Sequence, residues 1–243
     1  MSESLTERLA EWLREQVEAA GARGVVVGLS GGIDSAVVAG LGARALGRER
    51  VLGLILPCHS DPVDAEYARM VAEAFGLRCE TVDLTPVYDA LVARLTPAGE
   101  GTELRKLALA NLKPRLRMAT LYFYAQLHGY LVAGTSNRSE LYVGYFTKWG
   151  DSGADLLPIG GLVKEQVRAV ARELGVPQPI IDRVPTAGLW PGQTDEGQMG
   201  ITYQELDRHI LGGPVDPGVA ARIEAMHRAS AHKRRLPPIG PTP

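Results

Sequence analysis

Cysteine and lysine are both scarce in this chain, which has two cysteines and five lysines among 243 residues. Cys58 and Cys79 are far apart and form no Cys-x-x-Cys pair, so a paired-thiol centre is not expected. The first fifteen residues are charged and amphipathic, unlike a signal peptide. We therefore expect a cytoplasmic protein with reduced thiols.

Long apolar runs and a strong net charge are also missing. No apolar run approaches the ~20 residues that a membrane-spanning helix needs, and the formal net charge is -2. Neither a membrane nor a nucleic acid is expected as a partner. Hydrophobic residues make up 45% of the chain and charged residues 22%, which is typical of one α/β domain with a sizeable core. We predict a single domain over residues 1–243.

The few lysines are informative because arginine supplies most of the positive charge. A retained lysine favours positions that need a compact ammonium group rather than a planar guanidinium. Lys148 and Lys164 are therefore candidates for phosphate binding. The alternative is that these lysines were retained by chance on solvent-exposed faces.

Apolar strands alternate with helical patterns along the chain. This order predicts a doubly wound parallel sheet of about five strands with helices on both faces. Ligands of such sheets bind beyond the carboxyl ends of the strands. Two irregular stretches, 144–161 and 186–200, are long enough to be lids or binding loops. Four strands can be placed, at 25–27, 51–56, 78–84 and 130–133.

A glycine-rich turn follows the first strand, with the sequence GLSGGIDS at residues 28–35. Gly31 and Gly32 allow positive φ and leave no Cβ between the backbone and a ligand. The helix that starts near Asp34 offers free N–H groups and the positive end of its dipole. The turn therefore predicts a phosphate site, although it is neither a Walker A loop nor Gly-x-Gly-x-x-Gly. An ordinary strand-to-helix turn is the alternative.

The Ser-Gly-Gly-Ile-Asp-Ser run resembles the pyrophosphate loop of the ATP pyrophosphatases. Enzymes with this loop split ATP between the α and β phosphates and transfer AMP to an oxygen. The resemblance implies a sheet of the adenine nucleotide alpha-hydrolase type. Ser30 and Ser35 are suited to hold the leaving pyrophosphate, and Asp34 offers the hard oxygen ligand that Mg²⁺ prefers.

Motifs further along the chain resemble those of the NAD synthetase family. They keep the family's order over nearly the whole chain and are highly specific. They are Asn111–Met118, Gly134–Glu140, Gly144–Asp151, Ala154–Ile159, Pro185–Leu189, Gly192–Glu196, Gly200–Tyr203 and His232–Arg235.

This resemblance implies a reaction in two steps. The nicotinate carboxylate of deamido-NAD attacks the α-phosphate of ATP, which gives an adenylate and pyrophosphate. Ammonia then attacks the activated carbonyl, which gives NAD and AMP. Adenylation is needed because a carboxylate oxygen is a poor leaving group until AMP is attached to it. The protein then has mainly to position the groups and neutralise charge.

The resemblance also assigns roles to individual residues. Asp34 and Glu140 would bind Mg²⁺, although a helix N-terminal charge and a solvated helix face are the alternatives. Asp155 and Asp151 are candidates for the base that deprotonates ammonium. The ATP site would comprise Gly28, Leu29, Ser30, Gly31, Gly32, Ile33, Asp34, Ser35, Thr135, Lys164 and Thr186. Deamido-NAD would contact Arg115, Lys148, Asp155, His232 and Lys233.

Three further expectations follow from the resemblance. Glutamine-dependent relatives carry a large N-terminal amidase domain, whereas here the turn begins only 27 residues in, so free ammonia is the expected nitrogen donor. Family members are homodimers that hold the dinucleotide at the interface. The chain departs from the family pattern at Pro114, which we expect at the first position of a helix, and at Ser152, which replaces a common glycine and should stiffen its loop.

Two other functions fit the glycine turn less well. A tRNA-thiolating enzyme of the same superfamily needs paired or persulfide-forming cysteines and a basic module, which this chain lacks. A non-enzymatic adenine-nucleotide sensor would not need Glu140, Lys148, Asp155 and Lys164 together at one edge of the sheet.

Overall fold

The computed structural model describes residues 3–95, 102–190 and 192–241. Within these ranges the chain forms four strands, β1 (Val25–Gly28), β2 (Val51–Ile55), β3 (Arg78–Thr81) and β4 (Leu131–Val132). The helices are α1 (Leu5–Ala19), α2 (Ile33–Leu46), α3 (Pro62–Phe75), α4 (Thr85–Val92), α5 (Glu103–Ala110), α6 (Leu112–His128), α7 (Arg138–Val143), α8 (Lys164–Leu174), α9 (Gln178–Ile181), α10 (Asp195–Met199), α11 (Tyr203–Ile210) and α12 (Pro217–Ala229).

The strands form one parallel sheet in the order β3-β2-β1-β4. Val25 of β1 pairs with Val51 on one side and Leu131 on the other. The predicted doubly wound parallel sheet is confirmed, but about five strands is one too many for the described residues. Beside β4 the chain adds only a single parallel bridge, between Ala133 and Leu156.

Alternating residues of β1 supply two separate cores. Val25 and Val27 pack with α1, α2 and α8 on one face of the sheet, while Val26 packs with α6 on the other. This alternation is the period-2 geometry of a strand that is buried on both faces. A third apolar cluster, built on Val143, Leu206 and Ile223, joins α7, α11 and α12.

Several predicted element boundaries need correction. The third strand ends at Thr81 rather than Leu84, and the second irregular stretch contains the short helix α10. Pro114 is the third residue of α6, not its first. The first turn of a helix has no intrahelical partners for its N–H groups, so proline is tolerated there as well.

The carboxyl ends of β1 and β4 meet at one edge of the sheet. The chain leaves β1 for β2 on one side and returns to pair β4 on the other, which makes this edge the topological switch point where ligands bind. Gly28 ends β1 and begins the glycine turn. No helix among the described residues is long and apolar enough to cross a membrane.

Candidate active site

A cavity of about 710 Å³ opens at the switch point. Of the glycine turn at residues 28–35, every residue except Gly31 lines it. The cavity brings together most of the predicted ATP and metal residues from five separate parts of the chain. It is also lined by Thr135, Glu140, Asp151, Lys164, Thr186 and Lys233.

Two serine hydroxyls, of Ser30 and Ser35, lie next to each other within the glycine turn. The hydroxyls of Ser30 and Ser35 share a hydrogen bond at 3.1 Å. The Gly32 N–H donates to Ser30 Oγ at 3.2 Å, and the Ser30 N–H points to Ser35 Oγ at 3.3 Å. Hydroxyls and backbone N–H groups at the start of a helix are the donors that bind phosphate oxygens.

Lys164 is the charged centre of the cavity. It is the first residue of α8, and its side chain is 1% exposed. Its Nζ lies 2.5 Å from Asp34 Oδ2 and 3.5 Å from Glu140 Oε1. One ammonium group therefore joins the glycine turn, α7 and α8.

The three charges perturb one another. Burial and then the neighbouring Asp34 carboxylate raise the pKa of Glu140 to about 8, although Lys164 opposes this shift. Burial alone would lower the pKa of Lys164, but the facing carboxylates of Asp34 and Glu140 raise it overall. The lysine is held as an ammonium ion, while Glu140 is held near the point of ionisation.

Asn137 was not singled out from the sequence, yet it fixes both carboxylates. Its side chain caps α7 in a capping box with Glu140, and its Nδ2 donates to Asp34 Oδ1 at 2.9 Å. The Asn-x-x-Glu spacing at the start of a helix was the available signal. Without the fold, nothing indicated that the same asparagine also reaches Asp34.

Tyr203 and Asp195 are two further polar groups to which the sequence motifs gave no role. The Tyr203 hydroxyl lies 2.9 Å from Asp195 Oδ2 and 3.3 Å from Glu140 Oε1. The Lys164 ammonium lies 4.8 Å from the centre of the Tyr203 ring. Asp195 is 5% exposed, and its Oδ1 is buried without a hydrogen-bond partner. Both residues come from the region predicted as an irregular loop and the helix after it.

The carboxylates at this edge fit Mg²⁺. No group of three or more His, Cys, Asp or Glu side chains in the described part of the chain is arranged as a complete metal cage. Mg²⁺ is usually held by one or two carboxylates together with substrate phosphates and water. Asp34 and Glu140 are the pair that would hold it beside the phosphates, where it would neutralise their charge.

Three predicted deamido-NAD residues, Arg115, Lys148 and His232, are linked by hydrogen bonds, and Lys233 contacts the same irregular stretch. Arg115 Nη2 donates to the Lys148 carbonyl at 3.3 Å, and Lys148 Nζ donates to the His232 carbonyl at 2.8 Å. Lys233 Nζ donates to the carbonyls of Gly144 and Phe146, both at 2.8 Å. The structure therefore brings the basic C-terminal segment against the first irregular stretch.

Asp155 lies apart from this group. Its Oδ1 accepts from the Tyr122 hydroxyl at 3.1 Å, and its Oδ2 accepts from the Val132 N–H at 2.8 Å. It lines a second, shallower cavity of about 480 Å³ on the outer side of α6, together with Tyr122, Phe123 and Gln126. Met118 and Leu121 of the same helix line the larger cavity, so α6 separates the two spaces.

Asp151 belongs to the larger cavity. Its Oδ1 accepts from the Thr147 N–H at 2.8 Å. Desolvation raises the pKa of this carboxyl group, although Thr147, Lys233 and Arg117 oppose the shift. Of the two candidate bases, Asp151 is the one that shares a cavity with the glycine turn.

Comparison with known proteins assigns this arrangement to a family. A family model described as NAD synthase matches residues 5–237. The chain is 53% identical to the NH3-dependent NAD(+) synthetase of Carboxydothermus hydrogenoformans, over 98% of this chain and 97% of that protein. The chain belongs to the NAD synthase family.

Solved structures of the family superpose closely on this chain. NMN synthetase from Francisella tularensis matches with a TM-score of 0.90 at 40% identity, covering 97% of this chain and 96% of that one. NH3-dependent NAD synthetase from Campylobacter jejuni matches with a TM-score of 0.79 at 32% identity, covering 97% of both chains. The family and fold inferred from the sequence motifs are confirmed.

The loop before Asp155 accommodates Ser152, where the family pattern has glycine. The Ser152 hydroxyl donates to the Thr147 carbonyl at 3.0 Å, a contact that a glycine lacks. A Cβ at Gly150 would lie 2.9 Å from Thr147 Cγ2, and one at Gly153 would lie 2.7 Å from Met118 Cγ. The loop therefore needs glycine on both sides of Ser152 but not at Ser152 itself.

The raised pKa of Glu140 predicts a pH-dependent stability of the nucleotide-free protein. The folded-state pKa of about 8 lies above the usual 4.5, so the folded state retains a proton that the unfolded chain releases. Stability should fall as the pH rises from about 4.5 to about 8 and level off above that, by at most about 1.4 kcal/mol per pH unit for one proton. Glu140→Gln should flatten this slope in denaturant unfolding without added nucleotide or metal. Glu205→Gln, which alters an exposed capping carboxylate, should keep it; equal slopes for Glu140→Gln and the unmodified protein would contradict the prediction.

Proposed function

We propose that this protein amidates deamido-NAD with ammonia and ATP to give NAD, AMP and pyrophosphate. The supporting observation is the shared cavity, because the glycine turn, Thr135, Lys164 and Thr186 line the same space. The NAD synthase family and the named NH3-dependent relative set the reaction. This is the last step in making NAD, and the protein is an ATP-dependent ligase.

The first step transfers AMP to the nicotinate carboxylate. The carboxylate oxygen forms a bond to the α-phosphorus, and the bond from that phosphorus to the pyrophosphate oxygen breaks. Ser30, Ser35 and the backbone N–H groups of the turn bind the departing pyrophosphate, and Lys164 supplies a positive charge beside it. Mg²⁺ held by Asp34 and Glu140 would supply further charge neutralisation.

The second step forms the amide. The nitrogen of ammonia attacks the acyl carbon of the adenylate, and AMP leaves with the electrons of the C–O bond. Ammonium has to lose a proton before it can attack, and we assign this proton transfer to Asp151. Its place in the larger cavity and its raised pKa support the assignment. Asp155, which lies in the second cavity, is assigned to binding of the dinucleotide.

Free ammonia is the proposed nitrogen donor. Hydrolysis of glutamine by a cysteine nucleophile needs a thiol with a lowered pKa. Here desolvation raises the pKa of both Cys58 and Cys79. Residues 1–243 are accordingly proposed to act as one synthetase domain without a glutaminase. A cytoplasmic location, where ATP and reduced thiols are available, fits this proposal.

A homodimer is proposed on the face of α6 that points away from the larger cavity. The described residues of this region expose large apolar side chains, with Phe123 at 63%, Leu127 at 64% and Leu104 at 81%. Apolar groups exposed together mark an interaction surface. The cavity that contains Asp155 opens on the same face. A second copy of the chain would cover this face and complete the dinucleotide site.

A second candidate function is synthesis of nicotinamide mononucleotide by the same chemistry. The observation that favours it is the TM-score of 0.90 to NMN synthetase from Francisella tularensis, against 0.79 for NH3-dependent NAD synthetase from Campylobacter jejuni. The 53% identity to an NH3-dependent NAD(+) synthetase outweighs this likeness, which is 40% identical.

The two candidates are separated by measuring kcat/KM on both substrates. Purified protein is given ATP, Mg²⁺ and ammonium with either deamido-NAD or nicotinate mononucleotide. We expect equal amounts of AMP and NAD, with deamido-NAD preferred by at least about tenfold, a difference of about 1.4 kcal/mol. A reversed preference would assign NMN synthesis, and ATP binding without turnover on either substrate would indicate a nucleotide sensor.

Asp151→Asn and Asp155→Asn should fail at different steps. Asp151→Asn should release pyrophosphate normally but form NAD ~100-fold more slowly, the usual range for losing a general base. Because Asp151 must be ionised to act, the rate of NAD formation by the unmodified protein should fall as the pH drops through the raised pKa of Asp151. The Asp151→Asn variant should not show this fall. Asp155→Asn should instead raise KM for deamido-NAD. Loss of pyrophosphate release in Asp151→Asn would contradict the assignment.

Charge placed on α6 tests the homodimer. Phe123→Glu and Leu127→Glu should give a monomer by light scattering and lose deamido-NAD binding, while ATP binding in the larger cavity persists. Leu211→Glu places the same charge on another exposed apolar side chain, 57% accessible, and should remain dimeric. A monomeric unmodified protein with full activity would rule out a shared site.

A further inference from the structure

Gly31 is the one residue of the glycine turn that does not line the larger cavity. It has a φ of +76° and faces α3 instead. A Cβ at this position would lie 2.6 Å from the Asp64 carbonyl oxygen and 2.9 Å from Tyr67 Cβ. The turn is therefore pressed against α3, whose first turn also lines the cavity through Asp64.

Arg183, which also lines the larger cavity, contacts the turn on the side of α3. Its Nη1 donates to the Gly31 carbonyl at 3.2 Å, and its Nη2 forms an ion pair with Asp64. The guanidinium lies 5.0 Å from the centre of the Tyr67 ring. The Arg183 side chain is only 18% exposed, so these contacts hold it in one orientation. Arg183 lies just before Thr186, at the start of the second irregular stretch.

The planarity of the peptide bond connects Arg183 to the cavity. In a trans peptide, the carbonyl of Gly31 and the N–H of Gly32 point in opposite directions. Arg183 binds the carbonyl on the α3 side, so the Gly32 N–H must point to the other side. There it donates to Ser30 Oγ at 3.2 Å, beside the hydroxyl of Ser35. Since two glycines flank this peptide, its orientation depends on such contacts.

We propose that Arg183 is a positioning residue that locks the Gly31–Gly32 peptide with its N–H on the side of the Ser30 and Ser35 hydroxyls, where the leaving pyrophosphate would bind. This inference rests on the proposed function, since it takes the glycine turn to be the pyrophosphate site. Arg183 acts through the peptide and not by touching the phosphates. Asp64 holds the Arg183 guanidinium in place. Arg183 in turn connects the loop that contains Thr186 to the glycine turn.

A selectively labelled sample reports on this one peptide. The sequence contains three Gly-Gly pairs, Gly31-Gly32, Gly160-Gly161 and Gly212-Gly213. With carbonyl-¹³C and ¹⁵N glycine, a carbonyl-to-amide correlation spectrum of the full chain contains only these three signals. Arg183→Ala should move the Gly31-Gly32 signal and leave the other two in place. Arg183→Lys retains the charge but not both contacts, so it should give a smaller shift.

Binding of pyrophosphate and ATP to the same variants completes the test. Loss of one N–H donor to a charged phosphate should weaken binding by about tenfold in Arg183→Ala, with an intermediate loss in Arg183→Lys and Asp64→Asn. Arg222→Ala is the matched control, because Arg222 also donates to a backbone carbonyl, that of Met199 at the end of α10, and this variant should bind normally.

Each outcome has one meaning. A shifted Gly31-Gly32 signal with weakened binding supports the proposal. Weakened binding with an unmoved signal would overturn it in favour of direct contact between Arg183 and the phosphates. Unchanged binding would overturn it in favour of a purely structural ion pair. If unmodified protein binds neither ATP nor pyrophosphate, the proposed function itself fails, and the spectrum still reports what Arg183 does to the peptide.

Discussion

The ion pairs made by the buried ammonium group of Lys164 are the contacts on which the rest of the site depends. It lies between Asp34 of α2 and Glu140 of α7, at the first residue of α8. Two carboxylates this close to one another repel each other, and removing their shared, buried cation would leave charge without compensation. The cost of that arrangement explains why Asn137 and Tyr203 supply further hydrogen bonds to the same carboxylates.

The same cluster has an electrostatic consequence for nucleotide binding. Three carboxyl groups, of Asp34, Glu140 and Asp195, surround one lysine. A triphosphate that approaches ionised carboxylates is repelled unless a further cation enters or a carboxyl group keeps its proton. The raised pKa of Glu140 favours the second course, a retained proton, in the protein without ligands. Entry of Mg²⁺ with the triphosphate would replace that proton, which supports Asp34 and Glu140 as the pair that holds the ion.

The sequence predicted the parts of the site that depend on local chemistry. The parallel sheet, the glycine turn, Lys164 and the Asp34–Glu140 pair follow from strand patterns, turn residues and motifs. Long-range partners were not predictable, because nothing in the sequence indicates that Asn137 reaches across 103 positions to Asp34. The helix at 195–199 was missed because its five residues are too few to show a helical period. Asp155 was predicted beside the other loop residues, but its pairing with Tyr122 lies on the far side of α6.

Helix α6 separates the cavity of the glycine turn from the cavity that contains Asp155. Met118 and Leu121 face the cavity that holds the glycine turn, while Tyr122 and Phe123 face the second cavity. A dinucleotide bound against Asp155 would therefore have to pass the helix before its nicotinate carboxylate could reach ATP. Arg115, in the first turn of this helix, begins a series of contacts that continues through Lys148 to His232. The two side-chain donors, Arg115 and Lys148, both donate to backbone carbonyls and not to carboxylates. A phosphate could take over such donors without breaking an ion pair, which supports the proposal that these basic groups contact the dinucleotide.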